Sequence, residues 1–124
     1  MVGACTYSGT HYHEVISRNS SERLYGYWKT ETRLTQLGKG FDIVCFDPDG
    51  TYIRLFCAEG AQLVERGTYV VEGHMIRFDG TNGAYEEKFV LRRGDLEIDE
   101  KYGEPLIYRW INQGCPKRCQ GLKP

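Results

Sequence analysis

Two short stretches set a charge between aromatic rings at alternate positions. Arg54 lies two residues from Tyr52 on one side and from Phe56 on the other. Glu87 stands in the same way between Tyr85 and Phe89. Residues two apart in an extended chain share a face, so each charge travels with its rings. Two phases are open for Arg54. If Ile53, Leu55 and Cys57 point inward, Arg54 is solvated, the usual place for a charge. If Tyr52 and Phe56 point inward, Arg54 is buried and needs a partner. Glu65, Glu87 or a ligand carboxylate would serve. Glu87 carries the same ambiguity.

A second set of reactive residues lies near the chain ends. Cys5, His11 and His13 come early, and Cys115 and Cys119 come late. Sulfur and imidazole suit zinc, but a spacing of three between Cys115 and Cys119 is not the usual zinc-knuckle spacing of two. Free thiols, a disulfide or a metal site are all open there. Cys45 and Cys57 sit within apolar runs and are expected to be buried free thiols. No nucleophile elbow, zinc-protease helix or phosphate loop occurs. No cofactor is expected. His74 is the one histidine away from the N-terminal region, and Asp95 to Glu100 is an acidic stretch whose default place is a solvated face.

These residues must be held by something, and 124 residues suffice for one domain with a real core. The net charge is −1, which gives no electrostatic reason to expect nucleic acid as a partner. No apolar run reaches about 18 residues, so no membrane span is expected. The N-terminus has neither a basic nor an apolar leader region. A cytoplasmic place is therefore expected, with a secreted or periplasmic protein stripped of its signal as the alternative.

Fifteen glycines and nine tyrosines favour strands and tight turns. Residues 1–24 read as a lead-in with a helical turn or two around Tyr12, Val15 and Ile16. An alternating strand then runs from Gly26 to Leu34. Further strands are expected over 41–46, 51–57, 62–71 (bent or bulged at Gly67), 74–78, 85–91, 95–99 and 106–111. Asp47-Pro48-Asp49-Gly50 and Glu72-Gly73 are turn signals. Residues 112–124 form a polar tail. Short turns allow antiparallel neighbours only. The fold expected is all-β: an up-and-down barrel of about eight strands over residues 25–111.

Gly26-Tyr27-Trp28 on the first strand resembles the calycin superfamily, the lipocalins and their relatives. Phe46-Asp47-Pro48-Asp49-Gly50-Thr51-Tyr52 and the stretch from Gly67-Thr68-Tyr69 to Gly73-His74-Met75-Ile76 are similar to motifs of small bacterial lipocalin-like domains. The resemblance covers roughly residues 24–111. It implies that Trp28 closes one end of the barrel against an arginine near the last strand, Arg109 first and Arg118 second. It also implies that Tyr52 points inward, which carries Arg54 inward with it.

The function expected from this is binding of a small, mostly apolar ligand inside the barrel, with Arg54 reading an anionic group. Arg54→Met should then leave the fold intact or steadier. Tyr52, Arg54, Phe56, Tyr69, Phe78, Tyr85, Glu87, Phe89 and Tyr108 are the candidate lining, with Gly26, Trp28 and Arg109 structural. The alternative is a protein-interaction domain whose core is filled by its own side chains. An enzyme is disfavoured, since no nucleophile–base pair is visible. In a closed meander both chain ends leave at one rim, so Cys5, His11, His13, Cys115 and Cys119 could meet.

Overall fold

A computed structural model of the chain describes residues 22–99 and 103–123. Among them nine strands follow one another: β1 (Gly26–Thr30), β2 (Arg33–Thr35), β3 (Gly38–Phe46), β4 (Thr51–Ala58), β5 (Ala61–Glu72), β6 (Met75–Gly80), β7 (Gly83–Arg92), β8 (Asp95–Ile98) and β9 (Leu106–Asn112). Each of β2 to β8 pairs with the next in an antiparallel meander that ends at β9. β1 pairs with both β9 and β3 and closes the sheet on itself. β1 and β2 lie end to end along β3, so the wall is an eight-position barrel.

The first strand expected from sequence is thus broken at Glu31 and Thr32. At the break the Thr30 hydroxyl, not a backbone carbonyl, accepts the Asp42 amide at 2.9 Å. Residues 22–25 make a turn, closed by the Tyr25 amide on the Glu22 carbonyl, and every element of the described residues is a strand. The helical turns expected around Tyr12 to Ile16 lie outside them. Gly67 is not a bulge: β5 pairs through it without a register shift, with Tyr52 on one side and Gly80 on the other. A Cβ there would overlap the Asp79 carbonyl, so glycine serves close strand approach.

The inward face carries Trp28, Val44, Phe46, Tyr52, Tyr69, Ile76, Phe78, Phe89, Leu96, Ile98 and Tyr108, all buried in one cluster with Leu24. Trp28 sits at the end where β1 begins. Its indole nitrogen donates to the Leu24 carbonyl at 2.9 Å. The expected partner, Arg109, is elsewhere. It pairs with Lys29 in the ladder and reaches outward towards Glu31, 3.7 Å away, with 68% of its side chain exposed. Its strand phase is opposite to that of Trp28, so it cannot cover the indole. Trp110 closes this end instead. Its ring lies where a Cβ on Gly26 would stand, and its nitrogen donates to the Tyr25 carbonyl at 3.1 Å.

A second buried cluster lies outside the barrel, on β1, β3 and β4. It comprises Tyr27, Phe41, Ile43, Cys45, Ile53, Leu55 and Cys57, with Cys115, Cys119 and Leu122 packed on it. The tail covers this face and is fastened by two disulfides, Cys45–Cys115 and Cys57–Cys119, each with 5.5 Å between Cα atoms. The free-thiol expectation for Cys45 and Cys57 is therefore overturned: their side chains point out of the wall, beneath the returning tail. Gln62 accepts the Cys119 amide, Lys117 offers its carbonyl to Arg66, and Lys29 reaches the Lys123 carbonyl.

Each disulfide closes a long loop, spanning 70 and 62 residues. Replacing either pair by alanines is expected to lower stability by about 2–4 kcal/mol. Urea denaturation of the oxidised protein and each variant measures this. Coincident midpoints would show that the tail adds nothing to the fold.

Candidate functional site

The turns between β2 and β3, β4 and β5, and β6 and β7 gather at the end of the barrel away from Trp28. A cleft of about 420 Å³ opens there, lined by Asp42, Arg54, Phe56, Leu63, Glu65, Tyr85 and Glu87 among others. Strand alternation places these groups. Asp42 precedes Val44 and Phe46 on the inward face of β3, and Arg54 lies between Tyr52 and Phe56 on that of β4. Glu65 is the ladder partner of Arg54 on β5, and Tyr85 and Glu87 face them from β7.

Arg54 points inward. Its guanidinium meets a Glu87 oxygen at 2.6 Å, the Tyr85 hydroxyl at 3.2 Å and the Tyr108 hydroxyl at 3.4 Å. The Phe78 ring lies 5.0 Å below it, a cation–π distance. Burial disfavours the Arg54 charge, but the negative field of the Tyr108, Glu87 and Tyr85 oxygens outweighs it and holds the guanidinium well above its ordinary pKa.

Glu65 does not pair with Arg54, although it stands opposite in the ladder. It accepts the hydroxyls of Tyr52 and Tyr85 on one oxygen, the latter at 2.5 Å. Its other oxygen receives the Asn82 amide at 3.4 Å. Burial and this carboxylate push the Tyr52 hydroxyl far above the usual phenol range. Burial also raises Tyr85, with Arg54 pulling the other way. Nearer the mouth Arg33 meets Asp42 at 2.7 Å. Burial raises the Asp42 carboxyl, against the opposing pull of Arg33 and Arg54.

Of the residues singled out in the sequence, Tyr52, Arg54, Phe56, Phe78, Tyr85, Glu87 and Tyr108 line the cleft or form its floor. Tyr69 and Phe89 do not reach it. Tyr69 lies in the closed half, with its ring against Phe46 and its hydroxyl on the Asp47 carbonyl. Phe89 packs beside His74 near the β5–β6 turn. Sequence reasoning left out Asp42, Arg33 and Leu63. The signal for Asp42 was present: it shares alternation with Val44 and Phe46 inside a short apolar strand.

The five-residue zinc set considered for the tails does not form. Cys115 and Cys119 are spent in disulfides, Cys5, His11 and His13 lie outside the described residues, and no group of three metal-ligating side chains occurs among those described. No helix among them is long and apolar enough to cross a membrane.

The class defined by this architecture is a closed antiparallel β-barrel with one plugged end and one open end. No family model matches the chain, and no curated protein matches it. Among solved structures it is similar to the lipoprotein YedD from Klebsiella pneumoniae subsp. pneumoniae MGH 78578. The TM-score is 0.55 at 9% identity, over 75% of each chain. At that identity the likeness is one of fold.

Proposed function

We propose that this chain is a lipocalin-like binding module that takes a small amphipathic molecule at the open end of its barrel. The observation that carries this reading is the cleft of about 420 Å³ with a buried polar cluster at its base. Its volume lies in the range of small-molecule sites. Phe56, Leu63 and the Tyr85 ring offer apolar contact, while Arg54, Glu65 and Glu87 offer orientation. The closed half is filled by Trp28, Phe46, Tyr69 and their neighbours, so the ligand occupies only the upper part of the barrel.

Two disulfides support a place in an oxidising compartment rather than the cytoplasm. The lipoprotein label of YedD agrees with an envelope setting. A protein-interaction role is the second reading. It is favoured by exposed apolar residues at the open rim, Leu34, Leu37 and Leu63.

A thermal-shift screen over acyl, retinoid-like and cationic molecules tests the first reading. A ligand at a hundred times its Kd adds about 2.7 kcal/mol, a shift of several degrees. Leu63→Trp, which crowds the mouth, is expected to cancel the shift while leaving the unliganded Tm nearly unchanged. A hit whose shift survives that substitution binds elsewhere and counts against the cleft.

A further inference from the structure

We propose that the head group received by this cleft is a protonated amine, a proposal that rests on the ligand-binding reading above. The cleft and its rim contain three carboxylates, Asp42, Glu65 and Glu87, against two guanidinia, Arg33 and Arg54. Both guanidinia are committed, Arg33 to Asp42 at 2.7 Å and Arg54 to Glu87 at 2.6 Å. Glu65 meets no lysine or arginine within ion-pair distance among the described residues. Its contacts there are the hydroxyls of Tyr52 and Tyr85 and the long Asn82 contact.

These facts decide between signs. An anionic head would compete with Glu87 and the Tyr108 hydroxyl for the Arg54 guanidinium, which already serves both. It would also approach Glu65 with like charge. A primary ammonium displaces nothing. It can donate to the Glu65 oxygen that, among the described residues, receives only the long Asn82 contact, in a bond with both partners charged. The Tyr85 ring lines the same cleft and offers cation–π attraction, whereas the Phe56 ring already carries the Arg33 guanidinium at 5.9 Å. The hydroxyls of Tyr52 and Tyr85 fix the Glu65 carboxylate in place, so its geometry is set before the ligand arrives. Arg54 then acts as a positioning residue, holding Glu87 and the Tyr85 hydroxyl, not as the reader of an anion.

Three probes with one tail separate the possibilities: octylamine, octanol and octanoate, titrated by calorimetry at pH 7 into the oxidised protein. Octylamine, charged at that pH, is expected to bind about tenfold or more tighter than octanol, with octanoate weakest. Glu65→Gln, which keeps the side-chain size and an oxygen for the Tyr52 and Tyr85 hydroxyls, should remove most of the preference for octylamine over octanol. Octanoate binding as tightly as octylamine overturns the proposal, and so does an amine preference that survives Glu65→Gln. Equal binding of all three overturns the charge assignment while upholding the cleft. Binding by none of them overturns both. The wild-type ranking decides the sign of the head group by itself should the variant prove unstable.

Discussion

Arg54→Met lowers the stability of the barrel by about 3–5 kcal/mol. The side chains of Arg54 and Glu87 are only 14% and 12% exposed, and the substitution takes the guanidinium from a carboxylate that water hardly reaches. Sequence alone suggests the opposite sign, since methionine removes a buried charge. The opposite sign would hold only if the arginine were buried without a protein partner. With Glu87 present at 2.6 Å, the cost of taking the guanidinium from a buried carboxylate outweighs the gain from an apolar side chain. The double variant Arg54→Met/Glu87→Leu is expected to recover most of the loss, because well-packed apolar replacements of a buried pair are often neutral or better. Urea denaturation of the two single variants and the double closes the cycle. A single variant within 1 kcal/mol of the parent, or a double as unstable as the sum of the singles, would refute the coupling.

Trp28→Ala carries a loss of similar size, about 3–5 kcal/mol for deleting a large buried aromatic. Trp28 is 3% exposed, and its indole donor is what satisfies the Leu24 carbonyl. Arg109→Ala serves as the control. Its contact with Glu31 is a surface pair, worth under about 1 kcal/mol. If Trp28→Ala shifts the denaturation midpoint no more than Arg109→Ala does, the tryptophan is not the plug of the closed end.

The barrel was readable because its signals are local. Alternation, Asp47-Pro48-Asp49-Gly50 and the regular turn spacing each act within a few residues, and nothing distant overrides them. The phase of β4 was not readable in that way, and the structure supplies the reason: both of its faces are covered. Tyr52, Arg54 and Phe56 look into the barrel, while Ile53, Leu55 and Cys57 lie under the tail. A strand buried on both sides has no apolar face to mark its inside. The same hidden layer concealed the cysteine pairing, since Cys45 and Cys57 look like core thiols until residues 115–119 are known to fold back. The Trp28–Arg109 pairing failed for a simpler reason: the phase of β9 puts Tyr108 and Trp110, not Arg109, on the inner side. The Arg54–Glu87 pair was within reach, because period two alone sets both among rings. The choice between Glu65 and Glu87 depends on side-chain reach across the interior, which a pattern does not encode.

The strap from Cys45 to Cys115 has a mechanical meaning. Starting at Cys45 on β3, the backbone runs once round the wall through β4 to β9 and arrives at Cys115, where the sulfur bridge returns it to its origin. The barrel is thus encircled by an unbroken covalent hoop, and β1 is the stave lying beneath its buckle, with Tyr27 packed against the underside. Pulling β1 out of its slot would open a slit but could not unroll the sheet. While the ladders from β3 to β9 hold, the bridge also limits the circumference near the closed end, because it ties the chain just after β9 to β3. At the mouth, by contrast, β2 has β3 as its one strand neighbour among the described residues, and no covalent bridge spans the wall there among them.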